Sequence, residues 1–571
     1  MTSSMPLRPD TVIENATVIT GDPDRPYASR VGLWNGAILG VDDDLDRFTG
    51  TASPVHVIDA GGATLLPGFN DVHAHSVWFG QTLIEVDLGS CETVADVYHA
   101  LTARVETTAA ASDGDDWIIA SNFRPLALQD GPLQIDRLDG IGGGRPVIIK
   151  HNSGHALTVN SEALRRAGIA PEHPDQPDGG EIRVDEHGRP TGLLDENAMR
   201  PVQALLQPES EGLITRALDL ATSRYVSEGL TSVTDAGIAG GWIGHSPREF
   251  GAYQTARDKG LLSTRMQTMV TIDALHDVAG APEDATVRSL SAGVRTGVGD
   301  EWLQIGPAKI FTDGSLIGST AAMSEDYHHC THHRGYFQGD PKMMRDHALE
   351  AAAGGWSLAM HAIGDAAVDY AVDVIGEARR RFGPPRMPHR IEHGGVVRDD
   401  QLTAIAGVDA VLVPQPRFIA EFGDAMIDKL GPDRSLLSYP AQRVLDAGVV
   451  LPGSSDRPVA GGAPLSVIQA FVERCTESGQ AYGPADRITA AQAVHAYTVG
   501  SAQTTGWAGR KGQIIPGQLA DLVVLDQDPT DPGVDPSRIA DIPVLATVVG
   551  GETVFGDKHW ATRPPAQKET L

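Results

Sequence analysis

The sequence predicts an α/β protein: a (β/α)8 TIM-like barrel with a small composite β-sandwich domain from both termini and an insertion after strand 1. Three observations predict it. Through the middle of the chain, short apolar β-rich runs alternate with Ala- and Leu-rich amphipathic segments such as 344–354 and 366–382, the pattern of βα units on a parallel sheet. Both ends carry instead short strands with hairpin punctuation. From Thr231 onward the apolar runs follow at intervals of roughly 20–50 residues, whereas 155 residues separate His75 from Thr231, too many for one connection.

In chain order, residues 12–20, 31–41 with a turn at Asn35-Gly36, and 55–58 read as strands, and so do 519–525, 544–549 and, after Gly550-Gly551, 553–555. The composite domain is therefore expected from 1–62 and 509–571. Nine runs qualify as barrel strands: 63–69, 147–150, 231–235, 266–272, 305–311, 357–361, 390–393, 410–415 and 449–454. A barrel needs eight. The long gap assigns 147–150 to an insertion, 86–211, expected to overhang the mouth, and leaves 63–85 and 212–508 to the barrel. Residues 174–180 read as a loop and 564–571 as a frayed tail.

Composition narrows the function. Hydrophobic residues make up 41% of the chain and charged residues 21%, ordinary globular usage. Against 75 acidic residues stand 45 basic ones, a net charge of −30. That field repels phosphate backbones and anionic membranes, so neither nucleic acid nor membrane is an expected partner. Cys91, Cys330 and Cys475 are odd in number and far apart, which argues against a disulfide framework. No signal-peptide core opens the sequence and no apolar run approaches the ~20 residues of a membrane span, so the cytoplasm is the expected compartment. A homodimer is one assembly open to it.

The chemistry sits at strand ends. His73 and His75, in Leu65-Leu-Pro-Gly-Phe-Asn-Asp-Val-His73-Ala-His75, stand at i and i+2 after an apolar strand and leave one face of an extended segment. Alone, such a pair is weak evidence. Lys309 lies near the end of the 305–311 run, where a buried ammonium must lose its charge or find a partner. It is one of only eight lysines. Carbamylation would make it a metal-bridging carboxylate; otherwise its stem packs and its head pairs with Asp313 or reaches water. His361 and His393 each finish a predicted strand, and Asp456 follows the last one. In a parallel barrel these ends converge on one face.

With these residues in place, the chain resembles the metal-dependent amidohydrolase superfamily, nearest to its YtcJ-like and N-substituted formamide deformylase-like branch. The resemblance rests on Leu66-Pro67-Gly68-Phe69 with His73 and His75, Ser153-Gly154-His155, Lys309-Ile-Phe-Thr-Asp313-Gly-Ser, His361-Ala-Ile-Gly-Asp365, Arg390-Ile-Glu-His393, Ser455-Asp456-Arg-Pro458 and Gly517-Gln-Leu-Ala-Asp521. It implies one or two zinc ions, other divalent metals being open. His73, His75 and Asp456 would hold the more buried ion, His361 and His393 a second ion or the substrate, and Lys309 would bridge. Glu196 is a rival ligand. Where relatives show Asp-Gly-His, this chain has Ser153-Gly154-His155.

The function expected is hydrolysis of a C–N bond in an amide-like small molecule, an N-substituted formamide among the candidates. A zinc ion lowers the pKa of bound water to about 7. Asp456 would carry the water's proton to the departing amine, and His155 would hydrogen-bond the developing oxyanion. The enzymatic alternative is a deaminase, which Glu392 beside His393 keeps open. The non-enzymatic one is an inactive barrel used as a scaffold. Trp78, Phe79 and Phe418 are candidates for an apolar pocket, and Arg457 for a substrate carboxylate or a neighbouring acid. The run His328-His329-Cys330-Thr331-His332-His333 reads as surface or substrate-lining.

Overall fold

Seven parallel strands form one sheet in sequential order: β1 (Phe69–Ala74), β2 (Leu230–Ile238), β3 (Arg265–Thr271), β4 (Leu303–Phe311), β5 (Leu358–Ala362), β6 (Arg390–His393) and β7 (Val411–Val413). The computed structural model describes residues 8–48, 55–108, 117–125, 128–152, 154–177 and 180–562. Ser153, part of the 174–180 loop and the 564–571 tail lie outside the described residues.

Alternation of side chains decides what each strand contributes. On β5, Leu358, Met360 and Ala362 join the core beneath the helices, while His361 lines a cavity on the other side. On β4, Ala308 and Ile310 face that core and Lys309 and Phe311 face the cavity. The helix Asp365–Phe382 buries Ala367, Val368, Ala371, Val374, Ile375 and Ala378, an i, i+4, i+7 stripe that covers the sheet. Among the described residues no helix is long and apolar enough to cross a membrane.

The expected eighth strand, 449–454, is not a regular strand. Pro452 has no N–H to donate and Asp456 sits at φ 59°, so a ladder cannot run through the segment. It still nearly closes the sheet. Val72 N–H donates to Gly453 O at 3.1 Å, Asp456 N–H to His73 O at 2.7 Å and His75 N–H to Arg457 O at 2.7 Å.

The expected first barrel strand, 63–69, also needs correction. Thr64–Pro67 pairs antiparallel with Leu522–Leu525 in a separate sheet, and the barrel strand starts only at Phe69. Gly68 makes the transfer: a Cβ there would sit 2.1 Å from Thr231 Cγ2. His73 therefore lies inside β1 rather than after it.

Strands from both ends of the chain share a six-stranded sheet, ordered Glu552–Gly556, Val544–Val549, Leu522–Leu525, Thr64–Pro67, Thr17–Ile19 and Tyr27–Ala28. A four-stranded sheet holds Ala37–Val41, Val31–Trp34, Thr11–Glu14 and His56–Asp59. The 12–20 run thus divides between two sheets, turning at Asn15 with φ 56°. Ile13, Leu33 and Ile58 of the smaller sheet share one core with Val18, Leu65, Leu522 and Val548 of the larger. The 31–41 hairpin turns at Asn35 and Gly36, both with positive φ, as a two-residue hairpin requires.

Val147–His151 lies outside the barrel, as its spacing predicts, in a third sheet with Gly180–Val184, Pro190–Glu196, Ala156–Val159, Ile118–Phe123 and Val86–Asp87. At the N-terminal ends of the barrel strands, Asp521 joins the terminal sheet to the barrel. It pairs with buried Arg265 at 2.9 Å and buried Lys511 at 3.0 Å and accepts the Gly550 amide at 2.8 Å. Arg265 also stacks on Trp302, 4.7 Å from the ring centre.

Candidate metal centre

His73, His75 and Asp456 are buried and converge, one ligand atom of each lying within 4.8 Å of the others. Asp456 Oδ1 is 3.0 Å from His75 Nε2 and 3.4 Å from His73 Nε2. Neither His73 Nε2 nor Asp456 Oδ1 has a hydrogen-bond partner. Two buried polar atoms left so cost several kcal/mol without a partner, and a cation between them would satisfy both. Two imidazoles and a carboxylate are a suitable donor set for zinc.

Each further histidine is fixed by a partner on Nδ1. His73 Nδ1 donates to Glu392 Oε2 at 2.5 Å, and Glu392 is itself held by Arg390 at 2.5 and 2.9 Å. His361 Nδ1 donates to Asp313 Oδ1 at 2.9 Å, and Asp313 also accepts the amides of Ala322, Ile363 and Gly364. His393 Nδ1 donates to Gln415 Oε1 at 2.8 Å. The amide orientation follows from Gln415 Nε2, which donates to Val413 O and Ser454 Oγ. All three rings thus keep an Nε2 lone pair for other work. They also adjoin one another, with centroids 4.8 Å apart for His73–His393 and 4.5 Å for His361–His393.

Burial, with the Lys309 charge beside it, holds His361 well below the usual imidazole range, and burial does the same for His393. Both stay neutral, as ligation requires. For Asp456, burial acts to raise the pKa, but the adjoining His73 and His75 imidazoles outweigh it and hold the acid well below its ordinary value. His393 and Asp456 occupy positive φ, 75° and 59°, the kind of backbone strain that collects at functional sites.

Lys309 is 1% exposed and its Nζ has no hydrogen-bond partner. It does not pair with Asp313, which is committed to His361. The Phe311 ring lies 4.9 Å away, and burial pushes the amine down to about 8.

These groups open on a cavity of about 600 Å³, lined by His75, Lys309, His361, His393 and Asp456 on one side and by His155 and Glu196 on the other. His155 Nδ1 lies 3.1 Å from both Glu196 oxygens. Glu196 therefore engages His155 and is absent from the converging ligand group. Gly154 explains its place in the motif: it has φ 75°, and a Cβ there would sit 2.8 Å from the Trp78 indole.

Trp78 and Phe418 line the cavity, joined by Trp242 and Phe311. Phe79 does not; it stacks on Tyr225 with centroids 5.5 Å apart and carries the Arg457 guanidinium at 4.4 Å. Arg457 pairs with Glu228 at 2.6 Å, so of its two readings the neighbouring acid holds. His328, His329, His332 and His333 are exposed, and among the described residues they form no ligand group. Glu392, the residue that kept deamination open, is sequestered on Arg390 and His73 and is not among the cavity-lining residues.

Sequence reasoning missed the orienting residues Glu392, Asp313 and Gln415 in these roles. Their only signal is position: Glu392 adjoins His393, and Asp313 and Gln415 follow the ends of the strands next to those carrying His361 and His393.

The chain is 28% identical over 503 residues to the amidohydrolase YtcJ of Bacillus subtilis, covering 87% of this chain and 90% of that one. It is also 28% identical over 551 residues to the N-substituted formamide deformylase of Arthrobacter pascens, covering 95% and 97%. The fold matches a metal-dependent hydrolase of Pyrococcus horikoshii with a TM-score of 0.72 at 23% identity, over 92% of this chain and 99% of that one. The model of the amidohydrolase family matches residues 56–555. The chain belongs to the amidohydrolase family, enzymes that hydrolyse carbon–nitrogen bonds.

Proposed function

We propose that this protein is a metal-dependent hydrolase that cleaves the C–N bond of a small amide-like substrate, an N-substituted formamide being the leading class. The observation that carries the reading is the pair of buried, unpartnered atoms His73 Nε2 and Asp456 Oδ1 facing each other beside His75. In this reading His73, His75 and Asp456 hold a zinc ion, and His361 and His393 hold a second ion or the substrate. Lys309, as its carbamate, would supply a further anionic ligand. In this reading the terminal domain takes in Thr64–Pro67 as well as both ends of the chain, the barrel begins at Phe69 and resumes at 212–508, and the 86–211 insertion caps the mouth.

Zinc, when bound, acidifies water and polarises a carbonyl. The rest falls to side chains of the chain. Asp456 accepts the proton of the attacking water and returns it to the nitrogen as the C–N bond breaks. His155, oriented by Glu196, donates a hydrogen bond to the carbonyl oxygen as it gains charge, a contact of the kind worth about 3–4 kcal/mol. Glu392, Asp313 and Gln415 fix the faces that His73, His361 and His393 present. The aromatic walls exclude water from the apolar part of the substrate. The deformylase relative of nearly equal length favours the formamide class.

The test is elemental analysis of protein expressed with metal, then a panel of N-substituted formamides, other amides and aminated heterocycles. At least one ion per chain and release of a primary amine are expected. Ammonia from heterocycles alone would establish deamination instead, and metal far below one ion per chain would favour the scaffold.

A further inference from the structure

The opposite end of the barrel holds a second cavity, of about 560 Å³, which hydrolysis does not use. Arg295 and Gly297 in its wall precede β4, Trp356 precedes β5, and Arg386 and His389 precede β6. In a chain with 75 acidic against 45 basic residues, no Asp or Glu is among its lining residues. Among the described residues neither Arg295 nor Arg386 makes a side-chain hydrogen bond or ion pair.

Both arginines are seated on glycines. A Cβ on Gly297 would lie 2.2 Å from Arg386 Nε, and one on Gly355 would lie 2.7 Å from Arg295 Cδ; both glycines have positive φ, 93° and 87°. Both arginines are exposed, and the glycines leave room for their guanidiniums at one cavity wall. His389 adds a third polar group. It is 2% exposed, and its Nδ1 accepts the Leu358 amide at 3.0 Å, which leaves the ring proton on Nε2. Trp356, Phe382 and Pro384 supply an apolar wall.

We propose that this cavity binds the oxyanion group, phosphate or carboxylate, of a small molecule, with Arg295 and Arg386 as its cations. Two forks unclaimed by any carboxylate suit planar, bidentate recognition of such a group, and the apolar wall receives the remainder of the ligand. The site is separate from the hydrolytic centre and stands or falls independently of it.

Isothermal titration calorimetry on the full-length protein, with inorganic phosphate and with benzoate as probes, tests it. One-to-one binding of at least one probe is expected, weakened at least about tenfold in the double variant Arg295→Gln/Arg386→Gln. The thermal midpoint without anion should stay unchanged in that variant, while the rise produced by about 10 mM of the bound probe is lost. Each single variant gives an intermediate loss and carries the test should the double variant melt early. Binding of phosphate alone, benzoate alone or both supports the site and names its preference. No one-to-one binding of either probe up to about 20 mM, or binding undiminished in the variants, overturns it.

Discussion

Glu392→Gln separates the two duties of a carboxylate that touches no substrate. Glu392 is fully buried; its Oε1 takes Arg390 Nε at 2.5 Å and its Oε2 takes both Arg390 Nη2 at 2.9 Å and His73 Nδ1 at 2.5 Å. Burial acts to raise its pKa, but the Arg390 charge and His73 outweigh that and hold the acid far below its ordinary range. It is thus an anion at any working pH. Glutamine preserves the shape and removes the charge. Arg390, 0% exposed, then loses the buried carboxylate it is paired with, and breaking such a pair costs about 3–5 kcal/mol. The amide also has one acceptor oxygen where three N–H donors share two, so His73 or Arg390 meets an N–H. Loss of an orienting partner of this kind lowers metal affinity about 10–100-fold. Urea denaturation of metal-free protein reads the first effect, and zinc titration against a competing chelator reads the second. Metal affinity within about twofold of the parent, in a variant that has lost the stability, would refute the claim that Glu392 sets the face His73 presents.

Asp456→Asn should abolish turnover while the fold survives, because the amide cannot accept the water proton; near-normal activity would remove Asp456 from that role. Asp521→Asn leaves the buried Arg265 and Lys511 without their shared anion and should cost about 3–5 kcal/mol, read as a lower urea midpoint with activity per folded molecule retained. The same carboxylate predicts a pH dependence. Burial acts to raise its pKa, but Arg265 and Lys511 outweigh that and hold it well below the ordinary value. Its contribution is therefore complete above the unfolded value of about 3.9 and is lost as pH falls below it toward the folded value. The parent should destabilise across that window more steeply than Asp521→Asn, and parallel curves would count against the network.

What the sequence made legible follows from which forces act locally. Alternating apolar runs expose β-strands because a strand buries one face or both, so β6 falls on 390–393 as read and β4 and β5 within two residues of it. The strand-end rule gathered His73, His75, His361, His393, Lys309 and Asp456 without any contact being visible. The misreadings are places where a tertiary contact overrides the run. The 63–69 segment is uniformly apolar because it is buried in two different sheets, and only the Thr231 methyl against Gly68 decides where one ends. The 449–454 segment is apolar enough for a strand, yet Pro452 and the φ of Asp456 break its ladder. Glu392, Asp313 and Gln415 stayed hidden in these roles because each lies on or just after a different strand from the imidazole it orients and so leaves no spacing signal.

Counting charges at the centre yields one more consequence. His73, His75 and Asp456 would bring one negative charge to a bound cation. His361 and His393 are held neutral, and Glu392 and Asp313 are spent on Nδ1 protons. A second divalent ion beside the first therefore lacks an anion in a buried site, where repulsion between like charges is least screened. Among the described residues on that side of the cavity, Lys309 would supply it once its amine gains carbon dioxide. Metal number should then depend on carbon dioxide. Protein reconstituted with zinc in degassed buffer should carry about one ion per chain, and protein reconstituted with bicarbonate about two. Lys309→Ala should hold one under both conditions, lose activity, and regain some with a short carboxylic acid plus metal. Two ions in Lys309→Ala without added carboxylate, or full activity without rescue, would show that the second ion finds its counter-charge elsewhere and that Lys309 is not the bridge.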